Sequence, residues 1–126
     1  MSSNGTPLVL VADDDADILR LVTLRLEYSG YEVMSAEDGE QALNAALGRA
    51  PDLALLDVMM PKLDGYQVTE QLRRNESTKH VPVILLTARV QEADIARGIE
   101  AGADDYVSKP FSTQELRDRV QAALGR

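Results

Sequence analysis

The chain contains no cysteine, so it has neither a disulfide framework nor thiolate chemistry. It has a single histidine, His80, which excludes a metal site rich in histidine. A catalytic triad based on histidine would use the only histidine in the chain. No apolar run approaches the roughly 20 residues that a membrane span requires. The first seven residues lack the basic region and the apolar segment of a secretory signal. We therefore predict a cytoplasmic protein that does not enter a membrane.

Aromatic residues and positive charge are both scarce. One phenylalanine and four tyrosines are too few to build a platform for stacking bases. The 13 Lys and Arg residues stand against 21 Asp and Glu residues, for a formal net charge of −8. Such a field repels phosphate backbones, so we expect no direct nucleic-acid binding by this chain. The charge does not exclude a partner domain that binds DNA. An acidic surface is also suited to binding divalent cations.

With 126 residues, the chain is long enough for one domain with a real core and too short for two. Short apolar runs of strand length alternate with segments of helical periodicity, five of each. That alternation predicts a parallel sheet with helices on both faces, joined by right-handed crossovers. We expect residues 1–7 to form a flexible lead-in and residues 8–126 to form the domain. The predicted strands begin at Leu8, Glu32, Leu53, Val81 and Asp105.

Polar side chains follow four of the five predicted strands. They are Asp13 and Asp14 after the first, Asp57 after the third, Thr87 after the fourth and Lys109 after the fifth. The carboxyl ends of parallel strands share one edge of the sheet, where ligands bind in open α/β folds, so these groups should converge. Each has an ordinary alternative, as a helix cap, strand filler or a surface charge. The occurrence of such residues at four strand ends favours a shared functional site over four separate ordinary roles.

Three clustered carboxylates either take raised pKa values or recruit a cation. Oxygen ligands of this kind are typical of a Mg²⁺ site, and Mn²⁺ is able to substitute. With Mg²⁺ and Lys109 present, the formal charges of Asp13, Asp14 and Asp57 balance, and the site is ready for an anion. A phosphoryl group fits, with Asp57 as the nucleophile that becomes an acyl phosphate. The cation, Lys109 and the Thr87 hydroxyl would then hold the phosphoryl oxygens.

At these positions the chain resembles the receiver domain of two-component response regulators, from about Leu8 to Leu124. The motifs that carry the resemblance are Asp13-Asp14, Leu-Leu-Asp-Val-Met-Met-Pro around Asp57, Leu-Leu-Thr-Ala at Thr87, and the stretch from Gly102 to Phe111. The resemblance implies an α/β, flavodoxin-like (βα)5 fold, a doubly wound parallel sheet with strand order 2-1-3-4-5. It also implies a signalling switch of a two-component phosphorelay, activated by phosphorylation, and not an enzyme.

The resemblance further assigns roles to single residues. Asp57 would take the phosphoryl group from the phosphohistidine of a histidine kinase or a phosphotransfer protein. Asp14 would bind Mg²⁺ directly and Asp13 mostly through water, with Asp57 and the backbone carbonyl of Met59 as further ligands. Lys109 and Thr87 would stabilise the phosphoryl group. The Lys109–Pro110 peptide bond would be cis, which only a bond to proline adopts at low cost.

The resemblance also implies a switch pair, Thr87 and Tyr106. On phosphorylation the Thr87 hydroxyl would move toward the phosphoryl group and the Tyr106 ring would turn inward. The face made by the fourth helix, the fifth strand and the fifth helix would then be reshaped for an output partner or a fused effector domain. Met59 and Arg89, two residues past Asp57 and Thr87, should tune the phosphoryl lifetime.

Charged residues near the predicted output face resemble the pairs through which one subfamily of DNA-binding regulators dimerises. They are Asp104, Asp105, Glu115 and Arg119, whereas Ile95 replaces the usual basic residue near the start of the fourth helix. A monomer and a phosphorylation-dependent dimer both stay open.

Two other functions compete with the switch. The first is a Mg²⁺-dependent phosphatase or phosphotransferase of the haloacid dehalogenase class. Those enzymes carry a second aspartate as acid and base two residues after the nucleophile, where this chain has Met59, and we see no cap domain. The second is a receiver fold that acts only as an interaction module. The complete set of Asp13, Asp14, Asp57, Thr87 and Lys109 argues against it.

Overall fold

The computed structural model describes residues 5–88 and 90–125, within which five strands alternate with five helices. The elements are β1 (Leu8–Ala12), α1 (Ala16–Tyr28), β2 (Glu32–Ala36), α2 (Gly39–Gly48), β3 (Leu53–Asp57), α3 (Gly65–Arg74), β4 (Val83–Thr87), α4 (Glu92–Ala101), β5 (Asp105–Ser108) and α5 (Thr113–Ala123). Residues 1–4 of the predicted lead-in, Arg89 and Arg126 lie outside the described residues, so the lead-in stays a prediction. None of the described helices has the length and apolar character to span a membrane.

The five strands form one parallel sheet in the order β2-β1-β3-β4-β5. The predicted fold class and strand order are therefore confirmed. The register aligns the carboxyl ends of the strands, since Ala12 pairs with Leu56 and Asp57 pairs with Leu86. The residues that directly follow these strands therefore lie at the same edge of the sheet.

Two hydrophobic layers cover the sheet, one on each face. The inner strands β1, β3 and β4 are buried along their whole length, as expected for strands covered on both faces. On one face, alternate strand residues pack with apolar residues of α2, α3 and α4, such as Ala46, Leu72 and Ala101. On the other face, α1 and α5 contribute residues such as Leu26 and Val120. This two-layer arrangement leaves the carboxyl edge open.

Side-chain caps fix where four of the helices begin. Asp15, Asp38 and Ser112 each accept hydrogen bonds from backbone N–H groups in the first turn of the helix that follows. Asp64 and Gln67 form a complete capping box at α3. The predicted start of β4 was two residues too early. The Val81 N–H is used in the preceding turn, where it donates to the Thr78 carbonyl, and a proline at position 82 has no N–H to give.

Candidate functional site

Three carboxylates meet at the carboxyl edge of the sheet. Asp13 and Asp14 directly follow β1, and Asp57 ends β3. Each offers one oxygen, and these three oxygens lie within 4.8 Å of one another. Asp13 and Asp57 are only 1% and 5% exposed, while Asp14 faces solvent. The cluster is therefore buried on one side and accessible on the other.

The third residue of the acidic triplet has a structural role. The Asp15 side chain caps α1 by accepting hydrogen bonds from the backbone N–H groups of Asp17 and Ile18. Asp13 in turn accepts the Asp15 N–H through Oδ1, at 2.9 Å. This hydrogen bond orients the Asp13 carboxylate, and the cap leaves Asp14 outside the helix. One aspartate thus starts the helix and two supply the site.

Lys109 brings the positive charge of the site from the end of β5. Its Nζ donates to Asp13 Oδ2 at 2.7 Å and lies 3.5 Å from Asp57 Oδ1. The Lys109 backbone N–H donates to the Thr87 carbonyl at 2.8 Å, which ties the start of this loop to the end of β4. The Lys109–Pro110 peptide bond is cis.

The carboxyl group of Asp57 is electrostatically unusual. Burial, followed by the nearby charge of Asp13, raises the pKa of Asp57 to about 7. The Lys109 ammonium and the Met59 N–H, which donates to Asp57 Oδ1 at 3.3 Å, act in the opposite direction. A perturbed carboxyl in an open cleft is a feature of functional sites. Added positive charge at this position would favour the ionised form.

These residues surround a cleft of about 290 Å³. Thr87 is almost fully buried in its wall, whereas Met59 stands at its rim with 52% of its surface exposed. The structure also places Ile18 in the lining, a residue for which we predicted no functional role. Its position in the first turn after the aspartate triplet is the signal that could have indicated it. The lining consists of Asp13, Asp14, Asp15, Ile18, Asp57, Met59, Thr87, Ala88 and Lys109.

Tyr106 lies outside the lining of this cleft. The tyrosine is half-buried in β5, packs against the core layer under α4, and places its hydroxyl 3.1 Å from the hydroxyl of Tyr66. Tyr66 was not predicted to take part in any site, and its sequence context shows only the start of a capped helix. Arg89, expected to line the approach to the phosphoryl group, lies outside the described residues.

The acidic cluster fits a hard divalent cation. All three side chains offer carboxylate oxygens, the ligand type that Mg²⁺ prefers, and one side of the cluster is open for water ligands. Burial and, second to it, the charge of Asp13 raise the pKa of Asp57, and a cation bound to these carboxylates would oppose both effects.

Comparison with known proteins identifies the family. Residues 9–121 match the response regulator receiver domain family, and the chain belongs to it. The chain is 49% identical over 118 residues to the alkaline phosphatase synthesis transcriptional regulatory protein PhoP of Bacillus subtilis (strain 168), which covers 94% of this chain and 48% of that protein. It therefore spans about half the length of the curated relatives it matches.

Solved structures agree with this assignment. The receiver domain of the Francisella response regulator 1452 superposes with a TM-score of 0.88 at 37% identity, covering 96% of this chain and 98% of that one. The receiver domain of the sensor histidine kinase PA1611 from Pseudomonas aeruginosa PAO1 was solved with a magnesium ion coordinated in its active site cleft. It gives a TM-score of 0.89 at 33% identity and covers 97% of this chain and 100% of that one. The predicted family and its role as a phosphoacceptor signalling domain of two-component regulators are confirmed.

Proposed function

We propose that Asp57 is the residue that accepts the phosphoryl group. The observation that carries this proposal is the position of Asp57: a buried carboxylate at the floor of an open cleft, with Lys109 3.5 Å away and two further carboxylates beside it. A carboxylate that lines an open cleft beside a positive charge is suited to attack a phosphorus atom that carries negatively charged oxygens, because the positive charge offsets their repulsion.

The transfer is a substitution at phosphorus. An Asp57 carboxylate oxygen attacks the phosphorus of a phosphohistidine whose other ring nitrogen carries a proton, the new O–P bond forms, and the N–P bond breaks. The leaving nitrogen keeps the electron pair of the N–P bond, so the donor is left with a neutral histidine. Hydrolysis of the acyl phosphate by water later regenerates Asp57. We propose a histidine kinase or a phosphotransfer protein as the donor.

We propose that Asp13, Asp14 and Asp57, with the backbone carbonyl of Met59, hold a Mg²⁺ ion, for which Mn²⁺ is able to substitute. When bound, the ion would supply positive charge to the phosphoryl oxygens. The chain contributes the rest. Lys109, held in place by Asp13, presents its ammonium group to the phosphoryl group. The buried Thr87 hydroxyl stands in the wall of the same cleft and would donate to another phosphoryl oxygen.

Thr87 and Tyr106 form the proposed switch, and the face of α4, β5 and α5 is the proposed output surface. Phosphorylation would shift an existing equilibrium between two arrangements of the switch pair. The size of the shift is set by how much better one arrangement binds the phosphoryl group than the other does. The output would be an effector domain in the same protein or a separate partner. The relative described above is a transcriptional regulator of twice the length, which supports a regulator of transcription. A cytoplasmic location fits a donor of this kind and stays a proposal.

The oligomeric state that we propose is a monomer, with any dimer forming on phosphorylation. Two carboxylates of the suspected dimer pairs are occupied within one chain, since Asp104 pairs with Arg73 at 2.9 Å and Asp105 with Arg119 at 2.6 Å. A dimer through these groups would have to exchange existing ion pairs. Ile95, which is 38% exposed, supplies no charge in their place.

Mass spectrometry of the intact protein tests the assignment of Asp57. The protein is incubated with Mg²⁺ and acetyl phosphate, and we expect one acid-stable, base-labile phosphoryl adduct. The adduct should be absent from Asp57→Ala and present in Asp118→Ala, a control at an exposed aspartate. An adduct that persists in Asp57→Ala would place the modification elsewhere. Turnover of many equivalents of donor would indicate a phosphatase, and no adduct with any donor would indicate an inert interaction module.

A further inference from the structure

Tyr66, in the first turn of α3, connects two parts of the protein that the proposed switch must move. Its side chain is 6% exposed. Its hydroxyl donates to the backbone carbonyl of Asp94 in α4 at 3.2 Å and lies 3.1 Å from the Tyr106 hydroxyl in β5, from which it accepts while its own proton is given to Asp94. One buried phenol thus contacts both α4 and Tyr106.

The Tyr66 ring is itself held in place from above. The Arg97 guanidinium of α4 lies 5.0 Å from the centre of the ring, a distance typical of a cation–π interaction. Arg97 also pairs with Glu70, one turn further along α3, at 3.1 Å. Together with the hydrogen bond to Asp94, these contacts fasten the first half of α4 to α3, with Tyr66 at their centre.

The Tyr106 ring rests directly on α4 because residue 98 has no side chain. A Cβ atom at Gly98 would lie 3.1 Å from two carbons of the Tyr106 ring and 3.1 Å from Cδ1 of Leu85, which is tighter than ordinary contacts. Gly98 is itself buried. The location of α4 and the hydroxyl of Tyr66 therefore both support the half-buried position of Tyr106.

We propose that Tyr66 is a positioning residue for the switch: its hydroxyl holds Tyr106 in the inward position and couples that position to α4. The inference rests on the proposed function for the role of Tyr106 as a switch residue. If Tyr106 turns outward, it must give up the Tyr66 hydroxyl, and if α4 moves, the Asp94 carbonyl leaves the same hydroxyl. Tyr66 thereby links the two movements and favours the phosphorylated arrangement.

The size of the effect follows from the number of hydrogen bonds. Tyr66→Phe keeps the ring and its contact with Arg97 and removes the hydroxyl alone. The ratio of inward to outward Tyr106 should fall by about fivefold, the change that corresponds to one net hydrogen bond. A phosphoryl analogue that needs the inward arrangement must then work against this loss, so its half-saturating concentration should rise, by up to the same factor.

Fluorine NMR of protein labelled with 3-fluorotyrosine reports on each tyrosine separately, since the chain has only Tyr28, Tyr31, Tyr66 and Tyr106. Single Tyr→Phe variants assign the four resonances. Without any analogue, Tyr66→Phe should move the Tyr106 resonance, and Tyr31→Phe, at a half-buried tyrosine packed on the opposite face of the sheet, should leave it in place. In a titration with Mg²⁺ and beryllofluoride, Tyr66→Phe should raise the half-saturating concentration by up to about fivefold.

An unchanged Tyr106 resonance in Tyr66→Phe, or a half-saturating concentration that stays the same or falls, would overturn the inference. The reciprocal variant guards against poor folding of Tyr66→Phe, because Tyr106→Phe must then move the Tyr66 resonance, and its failure to do so overturns the inference equally. If wild-type protein does not respond to beryllofluoride, the proposed function fails, while the resonances measured without analogue still decide whether Tyr66 positions Tyr106.

Discussion

Lys109 lies closer to Asp13 than to the proposed phosphoacceptor: its Nζ is 2.7 Å from Asp13 Oδ2 and 3.5 Å from Asp57 Oδ1. The lysine therefore mainly compensates the charge of Asp13, the more deeply buried of the two carboxylates. A divalent cation bound to the acidic cluster would compensate the same charge. Lysine and cation share the same acidic partners, so the two positive charges oppose each other's binding.

Removing the lysine should tighten metal binding. In Lys109→Ala a unit charge 2.7 Å from Asp13 and 3.5 Å from Asp57 is lost, and even after solvent screening its repulsion of a divalent ion is worth about tenfold in affinity. Titration calorimetry with Mg²⁺ at pH 8 should show this gain. Lys79→Ala, at an exposed lysine paired only with Glu76 in the described contacts, serves as the control and should bind Mg²⁺ like wild type. The same Lys109 variant should fold and yet fail to pass phosphorylation on to the output face.

Weaker Mg²⁺ binding in Lys109→Ala would show that the lysine organises the cluster and does not compete with the ion. An unaltered output signal would show that the role given to Lys109 in the switch is wrong.

The raised pKa of Asp57 makes the metal-free protein sensitive to pH. In the unfolded chain an aspartate titrates at about 3.9, while in the fold the pKa of Asp57 is about 7. Between about pH 4 and pH 7 the folded state therefore binds one proton at Asp57 that the unfolded state does not. The contribution of Asp57 to the free energy of unfolding is fully present below about pH 4 and is lost as the pH rises through 7. Thermal unfolding in the presence of a chelator should therefore show a melting temperature that falls across this range.

Asp57→Asn supplies the control for this pH effect, because its amide does not titrate. We expect the variant to lose most of the decrease in melting temperature and to be more stable than wild type at pH 8 without metal. Wild-type affinity for Mg²⁺ should rise by about tenfold per pH unit below pH 7, since the ion displaces one proton, and then level off. A flat pH profile of Mg²⁺ affinity would contradict the assignment of Asp57 as a ligand.

Arg73 at the end of α3 stabilises the opposite edge of the sheet. Its guanidinium donates to the carbonyls of Gly102 and Val81, at 2.8 and 2.6 Å, and to the Asp104 carboxylate at 2.9 Å. Arg73→Ala should lower the free energy of unfolding by about 2 kcal/mol, because several backbone carbonyls lose a charged donor. Urea unfolding measures this loss. The adjacent Arg74→Ala, at an exposed position of the same helix, should change it by less than about 0.5 kcal/mol. Equal effects would show that the loss comes from the helix end and not from the hydrogen bonds.

Sequence patterns predicted the parts of this protein that depend on local order. Asp57, Thr87 and Lys109 could be predicted because each ends or directly follows a predicted strand, and the rule for parallel strands places such residues at one edge. The helix starts at Asp38 and Asp64 were likewise visible in the capping pattern.

Two other features could not be predicted, because they depend on contacts between residues far apart in the chain. Tyr66 meets Tyr106, and Arg73 meets Gly102, only after α3 and α4 have packed side by side. Neither residue stands in a pattern that differs from an ordinary helix surface. The start of β4 was misplaced for a related reason, since the use of the Val81 N–H in the preceding turn is visible only in the folded chain.

The two glycines that bound α2 should respond to alanine in opposite ways. A Cβ atom at Gly39 would overlap the backbone carbonyl of Leu63, so the loop between β3 and α3, which carries Met59 at the rim of the cleft, has to shift. Gly39→Ala should therefore lower the free energy of unfolding by more than about 2 kcal/mol and weaken Mg²⁺ binding. Gly48→Ala meets nothing within 4 Å and gains helix propensity, so it should stabilise the protein by up to about 1 kcal/mol and leave Mg²⁺ binding unchanged. Urea unfolding and calorimetry on both variants measure the contrast. A Gly39→Ala protein that binds Mg²⁺ like wild type would show that the loop adapts without disturbing the acidic cluster.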